Sequence, residues 1–412
     1  MKEKELQHYA IDGTKISINE KWLQDLINRK IEVEGIKGKG VLFSDQTLKK
    51  FIEEEYKHDK HIVLKDEKRS LRSYSSGEQK KVLLDYLLSQ NPDFLVVDDP
   101  FDSLDIASVK MISERLIDLS KRIPIIQLFK RKSDILPFIT KILNFENNEY
   151  KIEDLKDYLH RKAEIPSPLN QPIPPAIEHY EHIPDVLIEL KNVSVIYDRP
   201  VLKDINWKVK KGEFWQLIGP NGSGKTTILS MVFGNNTKGY GEDLYLFGSK
   251  KGSGESVWDI KQKIGYFSPS LTELFKGSHS VEEMIISGLL DSVGLYQKPR
   301  NKHKILADKW LKVIGLDSNK NIRFLRLSPV ERRLILIARA MIKHPPLLIL
   351  DEPTTSLDDE GSQLVVQLIN KIAEESSTAI LYVSHRKEEQ LNPQFIYELT
   401  PTENGSKGQQ IK

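Results

Sequence analysis

The 412-residue sequence contains no cysteine, which excludes disulfides, thiolate metal sites and thiol catalysis. It also lacks any uninterrupted apolar run near the ~18–20 residues that a membrane span requires. The longest, around Pro345–Leu350, has the length of a buried strand. Neither sign of charge prevails, with 61 Lys and Arg against 59 Asp and Glu, so nothing global argues for a polyanionic partner. Met1 to Ala10 carry no apolar segment, which argues against a secretory leader. The expected location is cytoplasmic, or peripheral on the inner face of the cell membrane with a different chain supplying any spans.

What is present fits a globular chain of two or three domains: 39% hydrophobic and 29% charged residues leave little room for bulk disorder. Residues 164–185 hold six prolines, whose fixed φ and missing donors favour extended chain over helix or sheet. This stretch is expected to link an N-terminal unit to one starting near Val186. Its His179 and His182 could ligate a metal, but a solvated linker is the simpler reading.

A repeat flanks the linker. Ser75-Ser-Gly-Glu-Gln, Asn91-Pro-Asp-Phe-Leu-Val-Val-Asp-Asp-Pro100 and Ser103-Leu-Asp105 match Ser328-Pro-Val-Glu-Arg, His344-Pro-Pro-Leu-Leu-Ile-Leu-Asp-Glu-Pro353 and Ser356-Leu-Asp358. The offset is 253 residues both from Asp98 to Asp351 and from Asp105 to Asp358. So long a unit indicates a duplicated domain rather than a solenoid. In each copy a helix-period segment, a proline and a short aliphatic strand ending in acids follow one another. That is the pattern of a parallel sheet covered on both faces, with its acids at the ligand-binding edge.

Gly219-Pro-Asn-Gly-Ser-Gly-Lys225-Thr-Thr227 fits the G-x-x-x-x-G-K-[ST] phosphate loop, between an apolar strand (Phe214–Ile218) and an amphipathic helix. Its glycines let backbone N–H groups wrap phosphates, Lys225 reaches the β- and γ-phosphates, and the Thr226 hydroxyl suits Mg²⁺. Asp351, at a strand end, is suited to the Mg²⁺ shell, and Glu352 beside it to polarising water. His385 follows the apolar run Ala379–Val383, where an imidazole could reach a γ-phosphate.

This set resembles the nucleotide-binding domains of the ATP-binding cassette (ABC) superfamily over nearly all of 186–400. The resemblance implies two tandem ABC-type P-loop NTPase domains of α/β class, each a mixed sheet plus helical subdomain, the N-terminal one truncated and degenerate. It implies ATP and Mg²⁺ as ligands and ATP hydrolysis as the activity. It casts Tyr197, 28 residues before Lys225, as the aromatic that stacks on adenine; otherwise it is a strand-end tyrosine. Gly219, Pro220, Asn221, Gly222, Ser223, Gly224, Lys225, Thr226 and Thr227 become the phosphate loop. Thr226 and Asp351 become metal ligands, and Lys225, Glu352 and His385 the catalytic set. Within the superfamily the sequence is similar to tandem ATP-binding proteins of the ModF type, which are linked by annotation to molybdate transport. Residues Ser280–Gln297 and Arg339–Pro345 carry that likeness.

Departures from the family pattern are informative. Pro269 stands where a glutamine is expected, and the signature Leu-Ser-Gly-Gly-Gln reads Leu327-Ser-Pro-Val-Glu331. The first copy has a near-standard signature in Ser75, Ser76, Gly77 and Glu78. However, Lys225 precedes Asp351 by 126 residues while only 97 residues precede Asp98, so a full domain with its own loop does not fit. Its nearest candidate, Asp12-Gly-Thr-Lys15, lacks the second glycine. Asp99 replaces the catalytic glutamate and Lys130 the histidine. In the family, each nucleotide lies between the loop of one domain and the signature of the other. Both defects therefore fall on one composite site and leave the other complete.

The expected division is a degenerate domain over 1–160, a linker over 161–185, an intact-loop domain over 186–400 and a polar tail over 401–412. The expected role is to energise or regulate transport through a separate permease subunit. The alternative is a soluble ATP-driven clamp on ribosomes or nucleic acid, for which the basic run Lys298–Lys304 is the one candidate contact. A short connector without a long charged hairpin counts against it.

Overall fold

The computed structural model describes residues 6–15, 21–28, 30, 32–58, 62–63, 70–146, 149–160, 169–385 and 388–412. The expected boundary at 160/161 and the first residues of the linker, through Pro168, lie outside these. The chain forms two compact units, Met1–Ile165 and Pro166–Lys412.

The first unit contains strands β1 (Tyr9–Asp12), β2 (Gly40–Phe43), β3 (Phe94–Asp98), β4 (Ile125–Phe129), β5 (Lys141–Glu146) and β6 (Glu149–Asp154). Its helices are α1 (Lys21–Ile27), α2 (Asp45–His58), α3 (Ser76–Ser89), α4 (Ile106–Ser120) and α5 (Leu155–His160). The strands form one sheet in the order β2-β3-β4-β1-β5-β6, parallel except for β6. Phe94–Val97 and Ile125–Ile126 are fully buried because helices cover both faces.

The second unit contains β7 (Val186–Ile196), β8 (Pro200–Lys210), β9 (Phe214–Ile218), β10 (Leu244–Leu246), β11 (Ser249–Lys250), β12 (Ile264–Phe267), β13 (Leu347–Asp351), β14 (Ala379–Val383), β15 (Phe395–Thr400) and β16 (Lys407–Gln410). Its helices are α6 (Lys225–Val232), α7 (Val257–Gln262), α8 (Pro269–Leu274), α9 (Val281–Ile286), α10 (Asn301–Val313), α11 (Pro329–Met341) and α12 (Asp359–Glu375). A six-stranded sheet runs β12-β13-β14-β9-β15-β16, again parallel except at its last strand. A second, antiparallel sheet runs β11-β10-β7-β8. The last residues, expected as a polar tail, supply β16, whose backbone pairs with β15 at the sheet edge.

The two six-stranded sheets have the same order, and their registers align position by position. Leu128 of β4 faces both Asp98 and Ile11, as Val383 of β14 faces both Asp351 and Leu217. Asp98 thus corresponds to Asp351, Gly13 to Gly219 and Lys130 to His385. The backbone repeats too. Asn91, Asp99 and Ser103 have φ of 50°, 44° and 59°, and His344, Glu352 and Ser356 have 49°, 49° and 63°. Positive φ is uncommon for non-glycine residues, so this triplet marks one turn design used twice.

The linker residues 169–185 pack on the second unit rather than being solvated throughout. Leu169 and Ile173 lie against its larger core, Pro174 is buried, and Ile173 N–H donates to Glu375 (2.8 Å). Tyr180 Oη donates to the Gln262 carbonyl (2.9 Å). No group of three or more His, Asp or Glu side chains able to hold a metal exists among the described residues, so His179 and His182 do not form one.

Candidate nucleotide site

The phosphate-loop sequence folds as a tight turn between β9 and α6. Gly222 and Gly224 have φ of 77° and 95°, a region where a Cβ is costly. That geometry leads into the α6 N-terminus, and Lys225 is its first residue. The Lys225 ammonium is buried and donates to the carbonyls of Gly219 (2.7 Å) and Pro220 (3.0 Å), which holds it over its own loop. Ser223 is fully buried and its hydroxyl has no hydrogen-bond partner among the described residues. Thr226 is exposed at the first turn of α6.

Across the sheet edge, Asp351 ends β13 and Glu352 begins the following turn. Burial pushes the Asp351 carboxyl up to about 6, with Glu352 adding repulsion and Lys225 opposing both. Burial pushes the Glu352 carboxyl up as well. The hydrogen bond and charge of His385, then Lys225 and Thr355, outweigh it and hold the group below the usual range. His385 Nδ1 lies 2.9 Å from Glu352 Oε1. Its Nε2 is buried without a partner among the described residues, an arrangement that costs free energy unless a ligand atom completes it. Lys225, Asp351, Glu352 and His385 therefore belong to one cluster, because the lysine's charge is felt by both carboxylates.

Tyr197 is 46% exposed at the end of β7, and its hydroxyl accepts from Asn236 Nδ2 (2.7 Å). Asn236 also donates to Ser230 of α6 (3.0 Å), so the ring is tethered to the far end of the phosphate-loop helix, with the Lys238 ammonium over its face at 5.5 Å from the centroid. Pro269 is the first residue of α8, behind the N-cap Ser268, and the Ser268 and Ser270 hydroxyls bond each other (2.9 Å).

The two signatures are both helix starts. Ser75 caps α3 and Ser328 caps α11, each in a reciprocal capping box with Glu78 or Glu331. Pro329 sits at the first helical position of α11, where its missing N–H costs the helix nothing. Next to the caps the packing is inverted. In the first unit, a Cβ on Gly77 would run into Ser108 of α4. In the second, the side chain of Val330 occupies the space over Gly361 of α12.

Sequence reasoning missed several supports. Thr355 donates to Glu352 Oε2 (3.3 Å). Arg333, on α11, donates to the carbonyls of Glu352 (3.5 Å) and Thr355 (3.1 Å). Lys80, at the equivalent place on α3, is buried and donates to the carbonyls of Pro100 (3.3 Å) and Asp102 (2.9 Å). The 253-residue offset pairs these two cations and was signal enough to find them.

A glycine loop at a helix start after β9, an imidazole after the neighbouring strand β14 and two carboxylates at the end of β13 beyond it are the parts of a P-loop ATPase site, and comparison fixes its class. Residues 202–355 match the ABC transporter family model. The chain is 38% identical over 334 residues to ABC transporter ATP-binding protein ModF of Escherichia coli, covering 78% of this chain and 68% of that protein. It therefore belongs to the ABC family of ATP-binding proteins, whose members bind and hydrolyse ATP. It is also 30% identical to an ABC transporter ATP-binding protein of Schizosaccharomyces pombe, over 78% of this chain and 66% of that one. The chain thus spans about two thirds of the length of these relatives. Among solved structures, cbiO1 of Clostridium perfringens aligns at 22% identity with a TM-score of 0.48, over 54% of this chain and 87% of that one. No helix among the described residues is long and apolar enough to cross a membrane.

Proposed function

We propose that the chain is a Mg²⁺-dependent ATPase with one working composite site. The observation that carries this is the pair of buried His385 and half-buried Glu352, whose imidazole Nε2 has no partner among the described residues, within the field of Lys225. The Gly219–Thr227 loop and Lys225 bind the triphosphate, and Tyr197 stacks on adenine. Glu352 takes the proton of the attacking water as its oxygen bonds to the γ-phosphorus. His385 Nε2 donates to a γ-phosphate oxygen, and the bond to the β–γ bridging oxygen breaks to give ADP and phosphate. The donor set suits Mg²⁺: an exposed hydroxyl at Thr226 and a half-buried carboxylate at Asp351 whose charge Lys225 offsets only in part, and substrate phosphates would supply further oxygens. When bound, the metal neutralises charge on the phosphates.

In this reading Ser75, Ser76, Gly77 and Glu78 of the first unit complete the site through a helix start of favourable dipole. The first unit, residues 1–160, supplies no site of its own, and 161–185 joins it to the domain over 186–400. The similarity to ModF supports a role beside a separate permease subunit, which co-purification of a polytopic membrane protein would establish. The direct test is calorimetry with Mg·ATP: one site per chain is expected, abolished by Lys225→Ala, and two equivalent sites would refute the reading.

A further inference from the structure

The basic run Lys298–Lys304 lies outside the ATP site. It borders a cavity of about 480 Å³ enclosed by the linker at Ile177–Tyr180 and by the helical part of the second unit, a size that suits small-molecule sites, which span ~300–1,000 Å³. The cavity's apolar wall comes from Ile286, Leu289, Leu295 and Ile342. Two acids border it, and each is already neutralised. Glu178 pairs with Lys302 (2.8 Å), and Asp291 pairs with the nearly buried Lys343 (2.6 Å). Three further cationic or polar side chains, Lys298, Arg300 and His303, line the same cavity and make no hydrogen bond or ion pair among the described residues. Burial, with Lys302 and Arg300 beside it, holds the His303 imidazole below its usual range, so it is a neutral donor or acceptor rather than a third fixed charge.

The combination is an apolar pocket whose own acids are paired and whose unpaired charges are all positive. We propose that it binds a small organic anion, with the apolar body against Leu289, Leu295 and Ile342 and a carboxylate, sulfonate or phosphate head held by Lys298 and Arg300. A flat nucleic-acid contact fits less well, because these cations rim a concavity and Lys302 of the same run is engaged by Glu178. The linker forms one wall, so the ligand would bridge the linker and the helical part of the unit.

The test uses the full chain, saturated with Mg·AMP-PNP to fill the phosphate loop, and a matched pair of probes. 4-Phenylbutyrate carries the charge, and 4-phenyl-1-butanol lacks it. Calorimetry should give one phenylbutyrate site per chain, with the alcohol at least about tenfold weaker, since a charge-assisted contact is lost. Lys298→Glu combined with Arg300→Glu, both exposed and so tolerated by the fold, should weaken phenylbutyrate by at least about tenfold. The same charge change at Lys309 and Lys312, outside the cavity, should leave binding unaltered. Equal affinity for both probes, equal loss in the two charge-reversed variants, or no phenylbutyrate binding to the nucleotide-saturated chain would overturn the proposal.

Discussion

The two six-stranded sheets share an order and a register, yet corresponding positions carry different chemistry. Asp98 and Asp351 end equivalent strands, and burial pushes both carboxyls up to about 6. One residue on, the copies part. Glu352 is held by an imidazole with a second nitrogen to offer, whereas Asp99 is held by the Lys130 ammonium at 3.2 Å. Burial pushes the Lys130 ammonium down, but Asp99, Asp102 and Asp98 outweigh it and raise it. The first copy thus has a standing ion pair where the second has a hydrogen-bonded pair with a spare ring nitrogen. The loops differ likewise. At the place of the glycine loop, Asp12 accepts from Thr14 N–H (3.0 Å), Thr14 Oγ1 (2.7 Å) and Tyr158 Oη (2.6 Å). A carboxylate there repels a triphosphate. The lesson is that one backbone conformation carries different side chains: the same positive-φ turn holds Asp99 in the first unit and Glu352 in the second.

The sharpest way to break this comparison is to make the same change at both copies. Glu352→Gln should cut turnover by about 10²–10⁴-fold while leaving ATP bound, as loss of a general base does, whereas Asp99→Asn should leave turnover at the wild-type rate in a steady-state phosphate-release assay. Loss of activity in both would mean that the first copy hydrolyses ATP as well. A smaller effect concerns the inverted packing at the signatures. Gly77→Val should destabilise the chain by about 1–3 kcal/mol through overpacking against Ser108, read by urea denaturation. Adding Ser108→Gly copies the Val330–Gly361 arrangement and should restore most of that loss. No rescue would show that the two signatures are not packed alike. Smallest is Tyr197→Ala, which should weaken ATP binding by about 1–3 kcal/mol if the ring stacks on adenine; unchanged affinity would leave Tyr197 as a tether for Asn236 alone.

Much of this was legible before the structure. The loop glycines, the aliphatic strands ending in Asp98 and Asp351, and the 253-residue offset are local patterns tied to local geometry, and they named Lys225, Asp351, Glu352 and His385, which the second unit brings near one another. What escaped was non-local or carried by the backbone. Lys407–Gln410 has no alternation to announce a strand, because an edge strand exposed on both faces selects for none. The packing of Ile173 and Tyr180 onto the second unit needs partners about 200 and 80 residues away, Glu375 and Gln262. The space that Gly77 leaves is taken by its own unit's Ser108, so a side chain there disturbs folding before it disturbs any phosphate.

That last point decides which variant tests the composite site. Ser75 is exposed and serves as an N-cap, a backbone-accepting role that aspartate also fills, so Ser75→Asp adds a negative charge at the cap in exchange for the hydroxyl's bond to Glu78 (2.9 Å), and far-UV circular dichroism should show α3 kept. Steady-state ATP turnover of Ser75→Asp should fall by at least about 10²-fold, the scale of losing transition-state charge stabilisation, while Ser328→Asp, the same change at the cap of α11, should match wild type. The reverse pattern, with Ser328→Asp inactive and Ser75→Asp intact, would contradict the account and assign the working site to the second units of two separate chains.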